Sequence, residues 1–269
     1  MDVVKFPLVS VNSKEEYNDF RNLFHLNSNF PIVIAGPCSL ESTQVLEYSA
    51  KFLKSCGVNF LRAGLYKPRT SPYNFQGLRR DGLKMTQYIA DKYDIKTVAE
   101  VTDVRELELV LKYVNVIQIG SRNMQNFDFL KEVGRLKCPV ILKRGMCSTV
   151  NEFILAAEYL AVGGNRNILL CERGIRTFEN SVRNTLDVAT IALVKKYTKL
   201  PIIADLSHSL GRKDVVNEVA KSVLAAGADG IMVEVHPKAQ EALSDQNQQL
   251  DFGEFKTLIS ELKKFIIKY

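Results

Sequence analysis

The chain of 269 residues has no tryptophan, only three histidines and five cysteines. The cysteines (Cys38, Cys56, Cys138, Cys147 and Cys171) are scattered, odd in number and form no CxxC pair. That excludes a disulfide framework of the secreted kind and predicts a reducing, cytoplasmic setting. No apolar run approaches the roughly 20 residues a spanning helix needs, so no membrane partner is expected. The first residues, "MDVVKFPLVSVNSKEEY", carry an acid at position 2 and lack the apolar segment of a secretory signal. Linkers, repeats and low-complexity tracts are missing too. Net charge is +6, yet the Lys and Arg residues form no dense run and no aromatic-basic repeat. Nucleic acid is therefore not an expected partner. Small anions suit a mildly basic surface better.

What the sequence does contain is alternation. Short apolar runs, "PIVIAG", "NFLRAG", "IKTVAEV", "NVIQIG", "PVILKRG", "NILLCERG", "PIIADLSH" and "DGIMVEV", read as eight strands. Amphipathic stretches lie between them, such as "STQVLEYSAKFLKSCG", "VRELELVLKYV", "STVNEFILAAEYLAVGG", "FENSVRNTLDVATIALVKKY" and "RKDVVNEVAKSVLAAGA". A last helix is expected over "FGEFKTLISELKKFIIKY". Strand-helix alternation implies parallel βαβ units, and near-continuous apolar strands imply that both faces are covered. The reading is an α/β fold, a single (β/α)8 TIM barrel over residues 31–269. Residues 1–30 form a short N-terminal extension, a hairpin or helix over the barrel floor. A doubly wound open sheet is the alternative, but "AGPCSLES" after the first strand lacks the GxGxxG spacing.

In a barrel of this kind, reactive groups belong at the C-terminal strand ends. Those ends are polar here. They carry Cys38, Arg62, Arg122, Lys143 with Arg144, Glu172 with Arg173, Asp205 with His208, and Glu234 with His236. After the second strand, "GLYKPRTSP" holds Lys67 and Arg69 on either side of Pro68, which stiffens the loop. Several cations on one rim suggest a basin for a polyanion, and two cations fixed side by side suggest that an anion sits between them. Cys38, His208 and Glu234 come from strands one, seven and eight, which are consecutive around a closed ring. Asp245, in the loop after strand eight, adds a fourth donor. Such a mixed set suits a divalent metal, Mn, Fe, Co or Zn. Taken singly, Cys38 reads equally as a buried small hydrophobe, His208 as a hydrogen-bonded loop residue and Asp245 as a helix N-cap.

Seven motifs in order, "AGPCSLES", "LRAGLYKPRTSPYNFQG", "IGSRNMQN", "ILKRGM", "CERGIRTFE", "DLSHSLGR" and "VEVHP", resemble the 3-deoxy-D-arabino-heptulosonate 7-phosphate (DAHP) synthases. The resemblance runs from about Ile32 onward. It is to the compact type, related to 3-deoxy-D-manno-octulosonate 8-phosphate synthase. It implies a metal-dependent barrel that condenses phosphoenolpyruvate with erythrose 4-phosphate, the entry step to aromatic amino acids, and a homo-oligomer, dimer or tetramer. By resemblance the metal ligands are Cys38, His208, Glu234 and Asp245. Arg122, Lys143 and Arg173 match the phosphate site for phosphoenolpyruvate, and Arg62 and Lys67 its carboxylate side. Arg69, Thr70 and Ser71 match the erythrose 4-phosphate site. The loop is short between Lys67 and Arg69, which favours the four-carbon aldose over the arabinose 5-phosphate of the octulosonate enzymes. The added regulatory domain of many relatives is not expected.

These assignments carry chemical expectations. Lys67, crowded by cations, is expected to have a lowered pKa and to give a proton to the new hydroxyl. Cys38 and His208 act as metal-binding catalytic groups. A thiolate at Cys38 near solvent is expected to be open to oxidation. Glu100, Asp205 and His236 are further helpers or supports.

Overall fold

The computed structural model describes residues 6–26 and 30–268. Eight parallel strands close into a barrel in sequence order: β1 (Ile32–Gly36), β2 (Phe60–Arg62), β3 (Lys96–Glu100), β4 (Val116–Ile119), β5 (Val140–Lys143), β6 (Ile168–Glu172), β7 (Ile202–Asp205) and β8 (Gly230–Glu234). Ring closure is explicit in the register, where Gly36 of β1 stands opposite Glu234 of β8. All eight expected strands are present and none pairs out of order.

Among the described residues ten α-helices accompany them: α1 (Phe20–Leu23), α2 (Thr43–Ser55), α3 (Leu83–Tyr93), α4 (Leu107–Leu111), α5 (Phe127–Gly134), α6 (Val150–Val162), α7 (Val188–Tyr197), α8 (Leu206–Leu210), α9 (Val216–Ala225) and α10 (Phe252–Lys268). Local chemistry sets their starts. The Ser42 side chain accepts from Val45 N and opens α2, whose Leu46, Ala50 and Leu53 then face the barrel. Thr149 and Glu152 form a reciprocal capping box at α6. The expected helix over 178–197 is a correction. Only its second half is helical, because Asp187 caps Thr190 N. Before the cap, Arg183 N and Asn184 N are instead bonded to the carbonyls of Leu210 and Ser209.

Two apolar layers result. One lies between strands and helices, and the other fills the barrel interior with Ile34, Phe60, Val98, Val116, Ile141, Leu169, Ile203 and Met232. The N-terminal extension contributes to both. Glu158 of α6 accepts from Leu8 N and Val9 N at 2.8 and 3.0 Å, which pins the segment to the outside of the barrel. Phe20 then plugs the interior from the N-terminal end, with Phe24 edge-on to Phe60. A one-turn helix, not a hairpin, covers the floor. Residues 1–5 and 27–29 of the extension, and Tyr269 of the expected last helix, lie outside the described residues. No described helix is long and apolar enough to cross a membrane.

Candidate active site

The mouth of the barrel repeats the interior's period of two, one layer higher, with charge in place of carbon. Two residues past Phe60, Val98, Val116, Ile141, Ile203 and Met232 stand Arg62, Glu100, Gln118, Lys143, Asp205 and Glu234. Inward-facing positions alternate along each strand, so these side chains crown the apolar stack. Arg62, Glu100, Gln118 and Lys143 line a recess of about 40 Å³ that also touches Cys38, Lys67 and His208, with Asp205 and Glu234 buried beside it. Above it opens a bowl of about 310 Å³ lined by cations, Lys67, Arg69, Arg122, Lys143, Arg173, Arg176 and Arg183 among them.

The β1–β2 rim is built by close approach. Gly64 lies so near the Cys38 carbonyl that an added Cβ would stand 2.3 Å from it. This brings the "KPRTS" loop over the Cys38 turn. Cys38 itself is fully buried, which corrects the expected placement near solvent. Burial pushes its thiol up to about 12, with Glu234 adding to the shift and Lys67 opposing it. A free thiol at this position stays protonated, and only a bound cation makes it a thiolate.

Cys38, Glu234 and Asp245 offer donor atoms that all lie within 4.8 Å of one another. His208, the fourth expected ligand, lies beside this group and outside it. Its Nδ1 is 2.8 Å from Asp205 Oδ2, and its Nε2 is 3.5 Å from Glu234 Oε1. Burial pushes the His208 pKa down to about 4; Asp205 opposes and Lys143 assists. The neutral ring donates a hydrogen bond from Nδ1–H to Asp205, so the Nε2 lone pair faces a carboxylate oxygen. Glu234 Oε1 is buried without a hydrogen-bond partner. A thiol, a ring lone pair and two carboxylates aimed at one another form a set that a divalent cation fits. Asp245 reaches the set from a left-handed backbone conformation, φ 46°. A non-glycine residue held there commonly marks a functional position.

Lys67 and Arg69 do not simply repel. Lys67 Nζ is 3.0 Å from Asp245 Oδ2 and 3.7 Å from Glu234 Oε1, and Arg69 Nη1 is 3.7 Å from Asp245 Oδ1. The expected lowering of the Lys67 pKa is overturned. Burial does pull it down, but Glu234, Cys38 and Asp245 outweigh burial and raise it above the ordinary lysine value. Arg62, 7% exposed, sends Nη2 to Glu234 Oε1 at 3.1 Å. Its Nε and Nη1 are buried and bond to nothing. Two buried guanidinium donors without partners are costly unless an anionic ligand takes them up.

Lys143 and Arg173 are buried and line the bowl, with Lys143 held by Asp205. Arg122 lines it from an exposed turn, and Thr70 stands on its rim. Ser71 is not among the lining residues; its hydroxyl accepts from Tyr73 N. His236 is buried away from the bowl, with Nε2 3.5 Å from Glu41 Oε2. Glu100 lines both spaces, and Asp205 sits beneath, bonded to Lys143 and His208. Sequence reasoning missed Asn74, Met146, Arg176, Arg183 and Asn184. Arg183 and Asn184 were hidden inside the stretch read as helix. The cue was Asp187 followed by Thr190, a cap that places both residues in a loop.

Comparison with known proteins bears on the family and the fold. The sequence model of the DAHP synthetase I family spans residues 21–267. A phospho-2-dehydro-3-deoxyheptonate aldolase of Thermotoga maritima is 49% identical over 239 residues, 89% of this chain and 71% of that one. The 2-dehydro-3-deoxyphosphooctonate aldolase of Francisella philomiragia is 27% identical over 250 residues, 86% of this chain and 90% of the other. The crystal structure of the T. maritima DAHP synthase superposes with a TM-score of 0.92 at 45% identity, covering 99% of this chain and 78% of that one. A truncated form of the same enzyme gives 0.89 at 44% identity, covering 98% and 97%. With the family matched across nearly its whole length and the barrel superposing on a solved member, the chain belongs to the DAHP synthetase I family.

Proposed function

We propose that this chain is a DAHP synthase that joins phosphoenolpyruvate to erythrose 4-phosphate, consumes one water and releases phosphate. The observation that carries this is the pair of unpartnered donors on buried Arg62, beside the Cys38–Glu234–Asp245 cluster and beneath a cationic bowl. Two acidic substrates need two anion sites, and the site is cationic at both its inner and outer levels. The octulosonate reading is less well supported, since the matched relative of that kind is 27% identical against 49%.

In this reading Arg62 orients the carboxylate of phosphoenolpyruvate, and Lys143, Arg173 and Arg122 hold its phosphate. Arg69 and Thr70 hold the phosphate of the aldose, with Ser71 shaping the loop they stand on. A divalent ion held by Cys38, His208, Glu234 and Asp245 would supply Lewis acidity toward the aldehyde; Mn, Fe, Co and Zn all suit the donor set. The enol carbon of phosphoenolpyruvate forms the new carbon–carbon bond with the aldehyde carbon. Water adds at the neighbouring carbon, and the carbon–oxygen bond to phosphate breaks. Lys67, kept protonated by its carboxylate neighbours, presents a proton at Nζ for the nascent hydroxyl. Arg173 and Lys143 stabilise charge on the departing phosphate. The test is phosphate release with phosphoenolpyruvate and each aldose phosphate, before and after chelation. Release with erythrose 4-phosphate that chelation abolishes supports the reading. Turnover with arabinose 5-phosphate alone would overturn it.

A further inference from the structure

The loop after β8 carries more than Asp245. Gln248 and Gln249 follow it, 5% and 0% exposed, and their side chains diverge to two different donors of the cluster. Gln248 Nε2 donates to Glu234 Oε2 at 2.6 Å, while its Oε1 accepts from Arg183 Nη1 at 2.7 Å. Gln249 Oε1 accepts from Cys38 N at 2.9 Å, while its Nε2 donates to the Ser244 carbonyl at 2.8 Å. Neither amide can be turned over. A guanidinium and a peptide N–H only donate, so oxygen must face each of them and the NH2 groups must point to Glu234 and Ser244. The backbone ties the same loop to β8, with Leu250 N bonded to the Glu234 carbonyl and His236 N to that of Leu250.

We infer that Gln248 and Gln249 are positioning residues that together set the donor geometry of the cluster, Gln248 by occupying Glu234 Oε2 so that only Oε1 is offered, and Gln249 by fixing the Cys38 turn. This rests on the reading of Cys38, His208, Glu234 and Asp245 as a metal site. Without Gln248 the carboxylate is free to rotate and to chelate through both oxygens. Without Gln249 the backbone that aims the Cys38 sulfur loses its anchor. Partners of this kind behind the ligands typically change metal affinity about 10- to 100-fold.

The experiment is titration of the metal-free full chain with Mn2+ alone by calorimetry, alongside Co2+ titration read by the thiolate-to-metal charge-transfer absorption. Wild type, Gln248→Met, Gln248→Glu and Gln249→Met are compared, with thermal midpoints taken in chelator. Both Gln248 variants should bind Mn2+ about 10- to 100-fold more weakly while keeping the thiolate band. Gln249→Met should weaken or shift that band. Midpoints in chelator should move little, which a purely structural role would not allow. Gln248→Glu has the native shape and, titrated at a pH where it is ionised beside Arg183, has no proton to donate, so it reads the same contact if Gln248→Met fails to fold. Wild-type affinity in folded Gln248→Glu overturns the inference, as does an unchanged band in Gln249→Met. Failure of wild type itself to bind one ion per chain would instead remove the metal reading beneath it.

Discussion

The two ends of the barrel are built on the same eight strands and could hardly differ more. At the floor, Phe20 closes an interior of Ile34, Phe60, Val98 and Met232, with hardly a polar atom in it. At the mouth, one step of the same pleat puts charge in place of carbon: Arg62, Glu100 and Lys143 line the open space, and Asp205 and Glu234 are buried beside them. Burying charge costs free energy unless each group is paired. The mouth answers with linked partners: Asp205 holds Lys143 and accepts from neutral His208, Glu234 is paired with Arg62 and Lys67, and Lys67 with Asp245. Glu234 is held down at about 2 against its burial, by His208, Lys67 and Arg62, in that order. The floor holds the fold and leaves the chemistry alone; the mouth depends on it for its rigidity. Mutations at the two ends should therefore fail in opposite ways.

The largest effect belongs to the mouth. Chelation followed by transfer to metal-free buffer should lower phosphate release on the order of 10³-fold or more, since a Lewis acid is worth several kcal/mol. The far-ultraviolet circular dichroism should not change. Cys38→Ala should behave in the same way and resist rescue by added Mn2+. Residual turnover above a tenth of wild type after chelation would mean that the donor cluster is structural.

The floor should give the reverse pattern. Phe20→Ala removes a fully buried ring from the plug and should cost about 3–5 kcal/mol of stability by denaturant titration. Below the new midpoint, kcat and both Michaelis constants should stay within twofold of wild type. A loss of kcat in folded Phe20→Ala would show that the two ends are coupled, and the contrast drawn above would fail.

Arg69→Ala tests whether the mouth is itself divided between its two substrates. Arg69 stands on the outer bowl with a 3.7 Å contact to Asp245, whereas Arg62 is sunk in the inner recess. The variant should raise the Michaelis constant for erythrose 4-phosphate about tenfold, some 1.4 kcal/mol, with kcat changed far less. A rise confined to phosphoenolpyruvate would exchange the assignments of the two levels.

This division also explains what could be read from the sequence. The strands were legible because apolar runs of that length between helical stretches leave few alternatives. The crown of charges was legible for the same reason, since Arg62, Lys143, Asp205 and Glu234 fall at strand ends. Their pairing was not. Proximity in sequence suggested that cations crowd Lys67, but its nearest charges are carboxylates that arrive from residues 234 and 245. Cys38 was placed near solvent because a metal-bound thiolate at a strand end was expected to face the mouth; the loops after β2 and β8 bury it. Arg183, Gln248 and Gln249 were invisible because their meaning lies in bonds between two loops, and periodicity says nothing about loops. Phe20 was hidden for a related reason: a lone apolar residue in a polar extension gives no sign of which cavity it fills.

The smallest expected effect returns to the floor and sharpens the contrast from its weak side. Phe24 is only partly buried, edge-on to Phe60 with ring centroids 5.0 Å apart and tilted against Phe20 at 5.8 Å. Aromatic pairs of this geometry contribute roughly 0.5–1.5 kcal/mol beyond the area they cover. Phe24→Leu keeps most of that area and loses the pairing, so stability should fall by about 1 kcal/mol and the thermal midpoint by about 2–4 °C. Catalysis and Mn2+ affinity should be untouched. The floor is thus predicted to be graded, each carbon contact adding a little, so that Phe24→Leu and Phe20→Ala fall on one scale of buried surface. The mouth has no such scale, because each charge there is held by the next. A midpoint for Phe24→Leu as low as that of Phe20→Ala would show that the plug acts as a unit, and that the floor shares the all-or-none character of the mouth.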